Sequence, residues 1–519
     1  MTRILTHVAI LLLAAFAAAW ASAADDGPAA AYAQLCAACH GAGRLGATGP
    51  ALLPENLARL KKGEAQATIR DGRAATQMPA FGAQLDDARL AALVEWIYTP
   101  VVPAPTWSDG DIRASRIEYH APGSLPDKPA FEADMMNLFI VVEAGDHHVS
   151  VLDGDRMERI FRFPSRFALH GGPKFTPDGR YVFFASRDGW ISKFDIWNLK
   201  LVAEVRAGIN TRNAAVSADG HTIAVANYLP NTLVLLDGDL NLIKSIAVSD
   251  ASGQHSSRVS AVYDASPRQS FIAALKDVPE VWEISYTRAV EPIATGLVHD
   301  YQYKEGSFVP GYLNPRRSIL DAPMDDFFFT QDYSEVMGTT RGGKGQVVNL
   351  DVRKSVAQLD IPGMPHLGSG ITWNYRGRRV MGSPNLKDGV VSVIDMADWH
   401  TIKRIPTLGP GFFMRSHENS RYAFVDSMMS PTGRDTLQVI DKETLEVVRT
   451  LRPEPGKTLA HIEFDRHGRY AIASLWEKDG ALIFYDATTL EEIKRLPASK
   501  PVGKYNLYNK ITKSEGTSH

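Results

Sequence analysis

The amino-acid sequence predicts two fold classes in one chain: a small all-α unit at the front, then an all-β eight-bladed propeller. Three observations carry this prediction. A Cys-x-x-Cys-His run sits among segments of helical period, Pro100, Pro103 and Pro105 break that pattern, and an eightfold strand repeat fills most of the remainder. At 519 residues and 45% hydrophobic content, the chain is long enough to bury two separate cores. It has no Lys/Arg-rich tract and a formal net charge of -3, which argues against nucleic acid as a partner.

Residues 1–23 read as a secretory signal peptide. Arg3 precedes the apolar run Val8-Ala9-Ile10-Leu11-Leu12-Leu13-Ala14-Ala15-Phe16, and Ala21-Ser22-Ala23 offers an A-x-A cleavage site before Asp25 and Asp26. The mature protein is therefore expected in the periplasm. Both cysteines of the chain lie in Cys36-Ala37-Ala38-Cys39-His40, so none is left for a disulfide in that oxidising compartment.

That run is the attachment pattern of c-type haem: the two thiols take up the vinyl groups and His40 becomes an axial iron ligand. Met78, in Gln77-Met78-Pro79-Ala80-Phe81, puts a thioether on a short loop and is the expected sixth ligand, a choice that raises the potential. Zinc would want further Cys or His at ligand spacing, and a dithiol redox site a βαβ frame. Helical pieces are expected at Ala29-Cys36, at Leu57-Gly63 with Ala65-Arg70, and at Asp86-Tyr98, where Leu90, Leu93, Val94 and Ile97 share one face. Residues 28–100 are thus predicted to be a class I cytochrome c domain with one covalent haem c, and the proline-rich stretch from 101 to 131 reads as a stiff linker.

From 132 to 510 the repeat takes over. Each unit contains a strand running into an Asp-containing hairpin: Val149-Ser150-Val151-Leu152-Asp153, Ile191-Ser192-Lys193-Phe194-Asp195, Leu233-Val234-Leu235-Leu236-Asp237 and Glu280-Val281-Trp282-Glu283-Ile284. The series continues with Gln346-Val347-Val348-Asn349-Leu350-Asp351, Val390-Val391-Ser392-Val393-Ile394-Asp395, Leu437-Gln438-Val439-Ile440-Asp441 and Ala481-Leu482-Ile483-Phe484-Tyr485-Asp486. Partner strands closed by turns such as Asp178-Gly179 and Asp219-Gly220 precede most of them. The spacing, mostly about 40 to 50 residues, is that of four-stranded propeller blades.

A propeller carries function on the loops that lead into its innermost strands. Those loops hold His170, Arg212, Asp325 with Asp326, His366, Arg415 and His461, so that three imidazoles and several guanidiniums converge on one mouth. His221 and His467 fall within turns and should be exposed, while His417 reads as structural.

A c-type cytochrome joined to an eight-bladed propeller resembles the cytochrome cd family, whose nitrite reductases carry haem d1 on the propeller axis. The resemblance covers essentially the whole mature chain. Its more specific points are Phe167-Ala168-Leu169-His170, Ser186-Arg187-Asp188-Gly189, Ile209-Asn210-Thr211-Arg212, Met364-Pro365-His366, Ala473-Ser474-Leu475-Trp476 and Gly503-Lys504-Tyr505-Asn506-Leu507-Tyr508-Asn509. It implies that His170 is the proximal ligand of the haem d1 iron and that Arg187 and Arg212 clamp carboxylates of the macrocycle. His366 matches one of two distal histidines, as ligand to the iron or as a catalytic group.

Two departures bear on function. Where the nitrite reductases have their second distal histidine, this chain has Met324-Asp325-Asp326, and half the proton-donating pair is missing. His461 stands where the reductases have an aliphatic residue. The combination is similar to the biosynthetic branch of the family, a periplasmic oxidoreductase that desaturates a propionate of dihydro-haem d1 to the acrylate and passes electrons to its c haem. Haem d1 is then substrate and product, and His461 and Tyr505 are the candidates for proton handling. A soluble periplasmic electron acceptor, and the nitrite reductase that receives haem d1, are the implied partners. A working NO-forming nitrite reductase and a haem d1 carrier remain as alternatives, and the sequence gives no independent sign of dimerisation.

Overall fold

The computed structural model describes residues 27–516 apart from 48, 58–59, 73–77, 301–304, 341–344, 362 and 514. The signal peptide assigned to residues 1–23, and Gln77 beside the candidate ligand Met78, lie outside the described residues. The chain divides into two compact units, Met1–Pro105 and Thr106–His519.

The first unit is all-α. Its helices are Pro28–Leu35, Ala37–His40, Pro54–Leu57, Lys62–Asp71 and Asp87–Ile97. The expected helix at Leu57-Gly63 is displaced: Pro54, pre-set in φ, starts a single turn that ends at Leu57, and the next helix begins at Lys62. Asp86 caps the last helix by accepting the Arg89 N–H at 2.8 Å. Its apolar face (Leu90, Leu93, Val94, Ile97) closes over Tyr32, Ala65 and Ile69, as the helical spacing requires.

The second unit is a propeller of eight antiparallel four-stranded sheets. Blade I consists of Leu138–Glu143, His148–Asp153 and Glu158–Pro164, with Pro501–Asn506 as its innermost strand. The innermost strands of blades II to VIII are Lys174–Phe175, Asn210–Val216, Val259–Ala265, Asp326–Phe329, Ile371–Tyr375, Met414–Arg415 and Leu459–Phe464. All eight of these repeat segments, seven of which carry the Asp, fall on the third strand from the axis. Joining Pro501–Asn506 to Leu138–Glu143 closes the ring without leaving a free sheet edge at the seam.

Two features escape the repeat pattern. Part of the stretch assigned to a linker is folded: Ser108 and Asp111 form a capping box on the helix Asp109–Ala114, and Ile117–Glu118 adds a fifth strand to blade II. Trp107 anchors this segment, its indole N–H donating to the Arg206 carbonyl at 2.8 Å. A helix of 6 residues and a strand of 2 are too short to register as periodicity. Blade IV carries an inserted hairpin, Ile293–Asp300 with Glu305–Val309, before its outer strand Pro315–Ile319.

After the closing strand, the helix Leu507–Thr512 leads the chain across the turn side of the propeller. Lys513 donates to Ser266 Oγ at 3.0 Å in blade IV, Glu515 pairs with Arg379 at 3.0 Å in blade VI, and the Gly516 carbonyl accepts the Ser416 N–H at 3.0 Å in blade VII.

Candidate functional site

In the first unit, Cys36 and Cys39 are both free thiols spanning one helical turn, with His40 directly after them. The loop that follows is tied down by Arg44, whose guanidinium donates to the carbonyls of Trp96 and Thr99 at 2.9 Å and of Ile97 at 2.7 Å, at the C-terminus of the last helix. Tyr32 Oη adds a bond to the Gly41 carbonyl at 2.7 Å. His40 Nδ1 lies 2.8 Å from the Pro50 carbonyl. Donation there fixes the tautomer and leaves Nε2 as the lone pair, the arrangement an iron-ligating imidazole needs. A β-carbon on Gly49 would lie 2.9 Å from the His40 ring, so only glycine lets the backbone pass this close. Burial lowers the His40 pKa, which keeps the ring neutral. Met78 is half-buried against the same core. The thiol pair, the oriented imidazole and the thioether form a donor set that fits a c-type haem.

In the second unit, every innermost strand, or the loop entering it, brings a polar side chain to the hub: Tyr505 from blade I, His170 from II, Arg212 from III, Tyr263 from IV, Asp326 from V, His366 from VI, Arg415 from VII and His461 from VIII. Arg212 and Asp326 have 17% and 16% of their side-chain surface exposed, and His170, Tyr263, His366 and Tyr505 are likewise only half-buried, so side chains do not fill the hub.

On one side of the hub, His170 is gathered with the two arginines. Its Nδ1 lies 2.8 Å from the Arg212 carbonyl, and Arg187 Nη2 donates to its Nε2 at 2.9 Å. Arg212 also reaches Asp326 at 3.7 Å, and Asp326 accepts the Tyr263 hydroxyl at 2.9 Å. Asp325 is ion-paired with Lys276. A β-carbon on Gly368 would collide with the Asp326 carboxylate, so this glycine makes room for the acid.

On the opposite side runs an aromatic-imidazole row. His366 is 4.1 Å from Phe412 between ring centroids, Phe412 is 4.6 Å from Phe413, Phe413 is 4.6 Å from His461, and His461 is 5.3 Å from Tyr505. Burial lowers the His366 pKa; Asp326 and the bond to the Phe412 carbonyl oppose it, and Arg212 and Arg415 push the same way as burial. His461 stands on a β-bulge between Ala460 and Ile462, with a φ of 47° that places it in the left-handed region. Such a bulge takes a side chain out of the ladder and re-aims it. Asp426 holds the bulge by accepting the backbone N–H groups of Phe412 at 2.7 Å and His461 at 3.2 Å, and burial pushes its pKa up to about 6. The imidazole is fully buried, and among the described residues its Nε2 has no hydrogen-bond partner.

Basic side chains surround this row. Lys504, Arg415 and Lys510 add to the effect of burial in holding the His461 pKa well below its ordinary value, so the ring is neutral and its lone pair is available. Burial, with Lys513 and Arg212 nearby, brings Lys174 down to about 8, and burial raises Tyr505 to about 12. The guanidiniums of Arg187, Arg212 and Arg415 give the half-open hub positive charge suited to a ligand with several carboxylates. Sequence reading found His170, Arg187, Arg212, His366, Arg415, His461 and Tyr505. It missed Lys174, Tyr263, Asp426, Lys504 and Lys510; a lysine at a strand position that must face inward was the one signal that could have exposed Lys504. His221 and His467 are exposed, and His417 is buried.

The Cytochrome D1 heme domain description matches residues 133–510, and that of Cytochrome C oxidase, cbb3-type, subunit III matches residues 23–97. The chain is 53% identical over 511 residues to the dihydro-heme d1 dehydrogenase of Pseudomonas aeruginosa, covering 98% of this chain and 99% of that protein. It is 24% identical over 534 residues to a nitrite reductase of Stutzerimonas stutzeri, covering 92% and 91%. A solved structure of dihydro-heme d1 dehydrogenase NirN in complex with DHE matches at a TM-score of 0.87 and 53% identity, over 93% of this chain and 100% of that one.

Proposed function

Because the chain belongs to the Cytochrome D1 heme domain family, we propose that it is an oxidoreductase of haem d1 biosynthesis that desaturates a propionate of dihydro-haem d1 to the acrylate. The observation that carries this reading is His461: a buried, neutral imidazole lifted out of its strand by a bulge, with a free Nε2 and basic side chains beside it.

Desaturation removes two protons and two electrons from adjacent carbons. A carbon-bound proton next to a carboxylate is weakly acidic, so the site needs a positioned base and positive charge over the carboxylate. His461 is that base, and Arg415 is the nearby cation. Its charge lowers the basicity of His461 in the free protein; a carboxylate placed beside it offsets that charge and raises the basicity when substrate is present. Tyr505, kept protonated by burial, supplies a hydroxyl beside the base.

His170, with Nδ1 held by the Arg212 carbonyl, is set to ligate the substrate's iron through Nε2 once Arg187 releases that nitrogen. A carboxylate of the macrocycle is the group that would draw the guanidinium away, which reconciles the ligand role with the clamp role. His366 faces the macrocycle from blade VI. In the first unit, Cys36, Cys39, His40 and Met78 would hold one covalent haem c, which when bound supplies a one-electron acceptor. Delivery onward to a soluble acceptor, and export to the periplasm by the leader at residues 1–23, belong to the same reading; fractionation and the mass of the mature N-terminus test the export.

The nitrite reductase alternative needs a replacement proton donor at the position of Asp325 and Asp326. Both carboxylates are engaged, one with Lys276 and the other with Arg212 and Tyr263, which disfavours that role. The deciding experiment adds dihydro-haem d1 anaerobically to protein carrying only c haem and follows the absorption spectrum. Conversion to the acrylate product supports the assignment. Binding without conversion would make the protein a carrier, and rapid stoichiometric nitrite consumption would make it a reductase.

A further inference from the structure

Lys504 has no place in the mechanism above, yet its ammonium position is among the most enclosed in the molecule. The side chain is completely buried, on the innermost strand of blade I, and packs against the innermost strand of blade VIII. Its Nζ donates to the backbone carbonyl of His461 and, at 2.8 Å, to Ser474 Oγ. A third contact runs to His461 Nδ1 at 3.5 Å. A buried lysine with two acceptors and one imidazole nitrogen around it has two consistent protonation states. As an ammonium it donates to all three. As a neutral amine its two hydrogens satisfy the two oxygens and its lone pair faces Nδ1.

Resting on the desaturation assigned above, we infer that Lys504 is a positioning and proton-accepting partner of His461, forming a two-step relay from substrate carbon to buried amine. In the free site the amine is neutral and Nδ1 carries the imidazole proton, which leaves the Nε2 lone pair open. The C–H bond breaks, its proton binds Nε2, and the Nδ1 proton passes to Lys504 Nζ. The imidazole stays uncharged and the amine becomes an ammonium. The electron pair of the broken C–H bond becomes part of the new C=C bond, and the two electrons lost by the macrocycle leave one at a time to the one-electron haem-type acceptor, which a soluble one-electron oxidant reoxidises between the two transfers. The second proton, on the neighbouring carbon, becomes strongly acidic once those electrons have gone and passes to water.

The surroundings fit an amine that gains charge only during reaction. Burial, the largest effect, holds Lys504 well below the ordinary lysine range, and Arg415 pushes in the same direction while Glu463 and Asp426 oppose it. The groups facing His461 are Lys504, Arg415, Lys510 and the Tyr505 ring. Glu463, whose Oε1 accepts from Asn509 at 3.1 Å, raises the Lys504 pKa and so favours the ammonium when it forms.

The test is Lys504→Met in protein loaded with c haem, assayed in single turnovers with dihydro-haem d1. The expected result is unchanged macrocycle binding, a desaturation rate lower by at least about tenfold, and a changed proton inventory in H2O/D2O mixtures. The inventory should be curved in the wild type, where two protons move together, and linear in the variant. A merely structural lysine would not change that curvature. A variant rate within about threefold of wild type, or a wild-type inventory that is already linear, overturns the relay. If Lys504→Met fails to bind the macrocycle, Ser474→Ala decides, because it frees one amine hydrogen and disturbs the lone-pair direction. A slower rate with a flattened inventory supports the relay, and wild-type values for both overturn it. Failure of the wild type to desaturate at all would instead reject the assigned function, so the two failures are distinguishable.

Discussion

Replacing His461 by Ala isolates the chemistry from the fold. Among the described residues the imidazole makes no hydrogen bond through Nε2, its Nδ1 contact with Lys504 is long at 3.5 Å, and the bond that holds the bulge comes from the backbone N–H to Asp426, which alanine keeps. The substitution therefore removes ring contacts with Phe413 and Tyr505 and opens a small cavity, a loss of about 1–3 kcal/mol. Alanine inherits the positive φ, so backbone strain is unchanged. Loss of a general base lowers the rate by about 10²–10⁴-fold, or about 2.7–5.4 kcal/mol in the barrier. The assay is an anaerobic single turnover with stoichiometric dihydro-haem d1, paired with a spectral titration of binding. A rate within about threefold of wild type would remove His461 from the reaction. A fall in affinity matching the fall in rate would recast it as a binding residue.

Other consequences can be checked separately. His170→Ala should weaken macrocycle binding and shift its absorption bands, because the Nδ1 bond to the Arg212 carbonyl orients a hub imidazole braced by two arginines; an unchanged bound spectrum would refute the ligand assignment. Arg44→Met should destabilise the first unit alone, by about 3–5 kcal/mol, since three helix-terminal carbonyls lose a charged donor; two-step denaturation, with only the cytochrome transition moved, is the expected signature. Stability should also fall on acidification. Burial depresses the pKa values of His366, His417 and His461, so the unfolded chain binds more protons below about pH 6.5, at about 1.4 kcal/mol per pH unit for each proton. Asp426, raised to about 6, binds a proton in the folded state as pH falls towards 4 and offsets one of the three. Urea unfolding at pH 7.5, 6.0 and 5.0 measures the slope, and a flat or rising profile would contradict it.

Much of this protein was legible in the chain because its signals are local. A CxxCH run needs one helical turn to become an attachment site, and a blade repeats its alternation and Asp turns within a few dozen residues, so Cys36, Cys39, His40 and all eight third strands could be placed without coordinates. Equivalent positions in a repeat share a direction, and this is why His170, Arg212, His366, Arg415 and His461 could be assigned to one mouth. What only the tertiary structure decided arises where residues far apart in sequence meet. Closure of the ring by Pro501–Asn506 brings Lys504 against His461, and the bulge that turns His461 inward depends on Asp426 from the neighbouring blade. The grip of Arg187 on His170, and the ion pairs that engage Asp325 and Asp326, are likewise contacts between separate strands or blades. Sequence periodicity determines which way a side chain points; its protonation state depends on desolvation and on charges brought in from other blades, and those exist only once the ring has closed.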